Sequence, residues 1–104
     1  MTITADLVDL IVSTGGGCPG TTIHFVLTGY AQGLVATGLF DALPDDDVPR
    51  LAVSVAMLAW ADDGPAAMRE HADMLRHSGP GCWLADADTV AAAFNTAADV
   101  LDAL

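Results

Sequence analysis

Glycine and proline divide this chain more firmly than any other feature. All five prolines and seven of the ten glycines fall in four short stretches: residues 15–20 within "TGGGCPGTT", residues 43–49 "LPDDDVP", residues 61–65 "ADDGP" and residues 77–83 "HSGPGCW". Proline interrupts helices and strands alike, and glycine favours turns, so these stretches are breaks. What lies between them must form the regular elements. Thr4 to Val12 reads as a short helix with Thr4 as N-cap and Leu7, Leu10 and Ile11 on one face. Thr21 or Thr22 caps a second helix running to about Phe40 or Asp41. The third, "RLAVSVAMLAW", carries Pro49 in its first turn and is apolar on nearly every side, which predicts a central position. Its first half, "LAVSV", also fits a strand; the length and the Ala-Met-Leu-Ala-Trp continuation favour helix.

The fourth helix opens at Pro65 and runs to about His77, with Met68, Ala72 and Leu75 inward and Arg69, Glu70, Asp73 and Arg76 outward. Asp86 or Asp88 caps the fifth. There Val90, Phe94, Ala97, Leu101 and Leu104 follow a 4-3-4-3 spacing, a seam for packing on another helix. The expected architecture is all-α, a single domain over residues 1–104 built as a bundle of about five helices.

So small a body has a high ratio of surface to volume. Yet 53% of its residues are apolar and only 16% charged. Some apolar side chains must therefore face outward, and an outward apolar patch marks a contact with another molecule. The net charge is −11: fourteen acids against Arg50, Arg69 and Arg76, with no lysine. That balance disfavours nucleic acid and anionic membranes, whose binding rests on basic groups, and permits a basic partner. Acidity of this kind also fits a salt-loving host or a GC-rich genome. Residues 23–40 lack charged groups but carry His24, Thr28, Gln32 and three glycines, which favours a buried helix over a membrane span. The N-terminus has no basic start, and Asp6 and Asp9 interrupt its apolar run, so the expected location is cytoplasmic, with Cys18 and Cys82 as free thiols.

Several stretches invite a chemical reading. "GGGCPGTT" fits a phosphate loop only if Thr21 replaces the lysine that reaches the phosphates, and the chain is too short for the surrounding parallel sheet. An interhelix turn is the better description, and no cofactor is expected. Cys18, just before a helix start, with His24 as base (or His71 or His77), is the candidate pair for nucleophilic catalysis. Glu70, Asp73 and His77 share one helix face and are the candidate metal ligands; ion pairs of Glu70 and Asp73 with Arg69 and Arg76 explain that face more simply. Asp45 to Asp47 reads as favourable charge at a helix N-terminus. Gly29 and Gly33 form G-x-x-x-G, with Phe25 and Ala36 extending that side, which predicts the close approach of a second helix from this chain or a neighbour. Trp60 and Trp83 border turns, as core bulk or as contact anchors. The resulting expectation is a non-catalytic interaction or regulatory protein that self-associates through apolar helix faces, with Phe25, Gly29, Gly33, Ala36, Val90, Phe94 and Leu101 at the interface. Two alternatives stand beside it: a small ligand-binding protein or enzyme using the glycine loop with Cys18 and His24, and an acidic inhibitor of a basic partner.

Overall fold

The computed structural model describes residues 4–16 and 18–104. All regular structure among them is helical: α1 (Thr4–Thr14), α2 (Thr22–Ala36), a 3-10 helix (Leu39–Ala42), α3 (Asp47–Leu58), α4 (Gly64–Ser78) and α5 (Ala87–Asp102). The segment weighed as a strand, Leu51 to Val55, lies inside α3. α1 packs against both α2 and α3, and α4 pairs with α5 as a helical hairpin. Contacts of α2 with α5 and of α3 with α4 join the two groups. Ile11, Tyr30, Leu34, Leu51, Met68 and Phe94 are fully buried where they meet.

The caps follow from local chemistry. Thr21 Oγ1 accepts from the His24 N–H at 3.1 Å, so Thr21 rather than Thr22 starts α2. Asp63 Oδ1 accepts from the Ala66 N–H and starts α4 one residue ahead of Pro65. α2 stops at Ala36, short of the expected Phe40. Gly38 adopts φ 77°, a left-handed conformation open to glycine at little cost, and turns the chain. Leu39, Phe40 and Leu43 then fold back into the core. α3 is also less central than its composition predicts: Leu51, Ala52, Val55 and Ala56 are buried, but Met57 and Trp60 are more than half exposed.

Asp47 differs most from expectation. Asp45 and Asp46 are exposed, as helix-end charges should be, but Asp47 is 0% exposed. Its carboxylate accepts from the Leu84 N–H, 3.1 Å from each oxygen, and from the Ala85 N–H at 2.8 Å. It thus ties the first turn of α3 to the loop between α4 and α5. Arg50, one turn on, donates to the Cys82 carbonyl and lies 5.8 Å from the Trp83 ring centre. Trp83 in turn meets Phe94 of α5 edge-on at 5.9 Å.

Tyr30 makes a second polar link through the core. Its hydroxyl donates to the Ala97 carbonyl at 3.0 Å and lies 3.5 Å from Met68 Sδ, joining α2 to the α4–α5 hairpin. Burial raises the pKa of this phenol well above its ordinary value of 10.0.

Replacing Asp47 by Ala leaves two backbone N–H groups without their acceptor, at about 1–3 kcal/mol for an unsatisfied buried donor. Asp47→Ala should therefore lower the urea-unfolding free energy by about 2–4 kcal/mol, while the exposed Asp46→Asn stays within about 0.5 kcal/mol; equal effects would refute the tether. The chain has no lysine and a single tyrosine, so from about pH 10 to 12 Tyr30 is the one side chain expected to titrate on unfolding. The folded state keeps its proton to higher pH than the unfolded chain does, so the stabilisation is complete below pH 10 and is lost as pH rises above it. Unfolding free energy should fall there by up to about 1.4 kcal/mol per pH unit, and Tyr30→Phe should flatten the slope.

Candidate functional site

α2 presents two faces. Leu27, Tyr30, Ala31 and Leu34 are buried, a 3-1-3 pattern pointing into the core. On the other side Phe25 is 69% exposed, and Gly29, Gln32 and Ala36 continue that exposed face; Val26, 51% exposed, lies at its edge, and Ile23, 40% exposed, begins the inward row one turn before Leu27. Trp60, 52% exposed at the end of α3, stands beside it. Val26, Leu27 and Tyr30 of α2, Ala59 and Trp60, and Leu101 of α5 together line an apolar cleft of about 70 Å³. That is roughly half the ~150 Å³ of a cavity that admits benzene, so the cleft suits one aliphatic side chain rather than a metabolite.

The backbone makes this corner possible at Gly15. A Cβ there would lie 2.6 Å from Leu27 Cδ1 and 3.0 Å from Trp60 Nε1. The end of α1 thus passes directly beneath the two side chains that shape the cleft.

The G-x-x-x-G pair does not act as one surface. Four residues advance a helix by 400°, so Gly29 and Gly33 point about 40° apart. Gly33 is half-buried against α5, with Val100 Cγ1 3.0 Å from where a Cβ would sit; Gly29 has nothing within 4 Å. The helix that approaches Gly33 belongs to this chain. Val90, Phe94 and Ala97 are 0% exposed, so this part of the α5 seam is covered inside the domain, while Leu104 at its end is 63% exposed. Leu101 is half-buried and reaches the cleft. Of the seven expected interface residues, Phe25, Gly29 and Ala36 lie on the exposed face, and Leu101 lies at its edge.

The chemical candidates disperse. "LVDLIVS" is helix α1, so no strand leads into the glycine loop; Gly17 itself lies outside the described residues. The Cys18 carbonyl accepts from Thr21 Oγ1 at 2.6 Å and from the Thr21 N–H at 3.2 Å, a turn that serves the α2 cap. Cys18 and Cys82 are both exposed free thiols. His24 Nδ1 is buried with no hydrogen-bond partner. His71 packs edge-on against Phe94 at 4.7 Å, and His77 Nδ1 lies 2.8 Å from the Asp73 carbonyl. Glu70, Asp73 and His77 remain exposed on α4, and no group of three or more metal-ligating side chains converges among the described residues.

The arginines bridge helices instead of pairing along α4. Arg69 meets Asp99 at 3.0 Å and Asp102 at 2.6 Å on α5, and the hydrogen bonds to Asp102 and then Asp99 raise its already high pKa further. Arg76 lies 3.7 Å from Asp88. Sequence reasoning missed Trp60 and Val26 as partners in one cleft, since nothing local says that the end of α3 meets the second turn of α2. Comparison with family models, curated proteins and solved structures finds no match for this chain. No helix among the described residues is long and apolar enough to cross a membrane.

The glycines give opposite expectations. Gly29→Ala meets open space and should stabilise the protein by about 0.5–1 kcal/mol through helix propensity. Gly33→Leu forces α2 from α5 and should destabilise it by about 1–3 kcal/mol. Thermal unfolding of the two variants reads both signs; equal shifts would contradict the facing assigned to each.

Proposed function

We propose that this protein is a non-catalytic interaction module whose contact surface is the outer face of α2 with Trp60. One observation carries the reading: Val26 and Trp60, 51% and 52% exposed, wall one apolar cleft, and Ile23 and Phe25 of the same helix leave two more large apolar side chains 40% and 69% exposed nearby in the chain. Large exposed apolar side chains concentrated on one helix and the turn beside it are characteristic of a docking surface rather than of a free one. A regulatory or scaffolding role in a cytoplasmic complex accords with it, since exposed free thiols such as Cys18 and Cys82 persist where the surroundings are reducing.

The partner in this reading is a different protein rather than a second copy. Two copies would each bring a charge of −11, and the three arginines are already engaged: Arg50 with the Cys82 carbonyl, Arg69 with Asp99 and Asp102, Arg76 with Asp88.

A photo-crosslinking amino acid at position 25, introduced in the native cell, should give discrete heavier adducts. Val26→Asp should abolish them and Met74→Asp on α4 should not. Adducts at twice the mass of the chain would overturn the choice of a different partner. Adducts no stronger than those from position 45, on the acidic turn before α3, would overturn the module itself.

A further inference from the structure

The cleft and its surroundings differ in character. Its walls are aliphatic and aromatic: Val26 on one side, Trp60 on another, Leu101 on a third. The chain beside those walls is acidic. Asp62 and Asp63 immediately precede Gly64, whose Cβ would lie 2.8 Å from Leu101 Cδ2 and 3.2 Å from the Ala59 carbonyl, so this acidic turn abuts two of the residues that line the cleft; Asp99 and Asp102 turn from Leu101 toward Arg69. Asp63 is committed to capping α4, and Asp99 and Asp102 share the one Arg69; Asp62 is exposed, and no hydrogen bond or ion pair engages it among the described residues. The local balance is therefore negative around an apolar notch.

Charge complementarity then selects among occupants. An acidic peptide, a nucleic acid and an anionic lipid surface all carry the wrong sign. A second copy carries the same acids and arginines already in use. A neutral apolar segment would fill the notch but leave the surrounding carboxylates unmatched. The notch is also too small for more than one aliphatic side chain, so the remainder of the partner must lie outside it, over the exposed parts of Val26 and Trp60 and beside the Asp62–Asp63 turn.

We propose that the cleft docks a basic amphipathic segment of another protein, with one aliphatic side chain seated between Val26, Trp60 and Leu101 and flanking lysines or arginines beside the Asp62–Asp63 turn. This rests on the reading of the α2 face as an interaction surface and names the chemistry of what it takes. Recognition of this kind joins helix-in-groove anchoring to electrostatic selection.

A synthetic amphipathic helix of leucine and lysine serves as the probe, titrated into the whole protein by calorimetry, with two relatives: one carrying glutamate for lysine, one carrying glutamine for leucine. The leucine–lysine peptide should bind, more weakly as salt rises from about 50 to 300 mM, and neither relative should. Val26→Asp should weaken binding about tenfold or more. Met74→Asp, which adds the same charge but lines no part of the cleft, should not weaken it. Asp62→Asn should weaken it about two- to threefold. Circular dichroism checks that each variant folds; Val26, Met74 and Asp62 are all exposed, so the substitutions disturb no core. Equal binding of the glutamine relative, or equal affinity of Val26→Asp and Met74→Asp, would reduce the interaction to bulk charge and overturn the proposal. Absence of binding overturns it as well. If the position-25 adducts persist in that case, the interaction surface stands and only its basic partner is refuted; if both fail, both readings fall together.

Discussion

A carboxylate held wholly out of water determines how the two groups of helices sit on each other. Asp47 opens α3, where the helix dipole favours a negative charge, yet that helix end alone would not compensate its loss of hydration. The compensation comes from the Leu84 and Ala85 amides, which a turn after α4 presents to both carboxylate oxygens. Because the amides belong to backbone, their positions are fixed by the loop and not by a flexible side chain. Arg50, Trp83 and Phe94 extend the same junction into the core by a carbonyl bond, a cation over a ring and an edge-on aromatic pair. With one end of the α4–α5 hairpin held there, Tyr30 holds α5 further along through the Ala97 carbonyl. Leu101 lies one turn beyond that, and so reaches Val26 and Trp60. The cleft follows from the docking of the hairpin.

The apolar excess of the sequence is resolved in the same geometry. α5 buries Ala91, Ala93, Ala97 and Ala98 beside Val90 and Phe94, and α2 meets α5 at Gly33. Gly64, at the start of α4, is as tightly placed, with Leu101 Cδ2 2.8 Å from where its Cβ would sit. Small residues let helices approach closely, but close helices enclose little volume. A core of alanines and a few large side chains has no room for Phe25, Met57, Trp60 or Met74, and these remain outside. A high apolar content with a thin core is therefore one fact seen from two directions.

Much of the fold was legible because glycine and proline marked the breaks and the periods between them were helical. The caps at Thr21 and Asp63 and the inward set Met68, Ala72 and Leu75 belong to that local grammar. Gly38 was not legible, because a lone glycine in an apolar run ends a helix only when the residues beyond it find somewhere better to go, as Leu39 and Phe40 do. Asp47 was concealed among three identical residues, although a signal existed: stepping back from Val55 by four to Leu51 and by four again lands on Asp47, not on Asp45 or Asp46. The candidate site was half legible. Phe25 and Ala36 fall on the exposed face as their spacing implies, whereas Val90 and Phe94 form an equally regular seam that the chain uses itself. Periodicity reports that a face is apolar; whether the cover is internal depends on which helices the loops allow to meet.

Charge resolves the remaining tension, that of a protein with an exposed apolar face. Exposed aromatics and branched aliphatics such as Phe25, Trp60 and Val26 would promote self-aggregation in a neutral protein. Here every approach of one copy to another brings together two chains of charge −11, each with fourteen acids and only three arginines to offset them. Repulsion between copies acts over roughly a Debye length, about 8 Å at physiological ionic strength, farther than any apolar contact. It therefore acts before the apolar faces touch. For a partner of opposite sign the same field reverses and draws it toward the face that copies avoid. On this account the acidity and the apolar face are not independent features of composition: the first allows the second to stay uncovered until the complementary surface arrives.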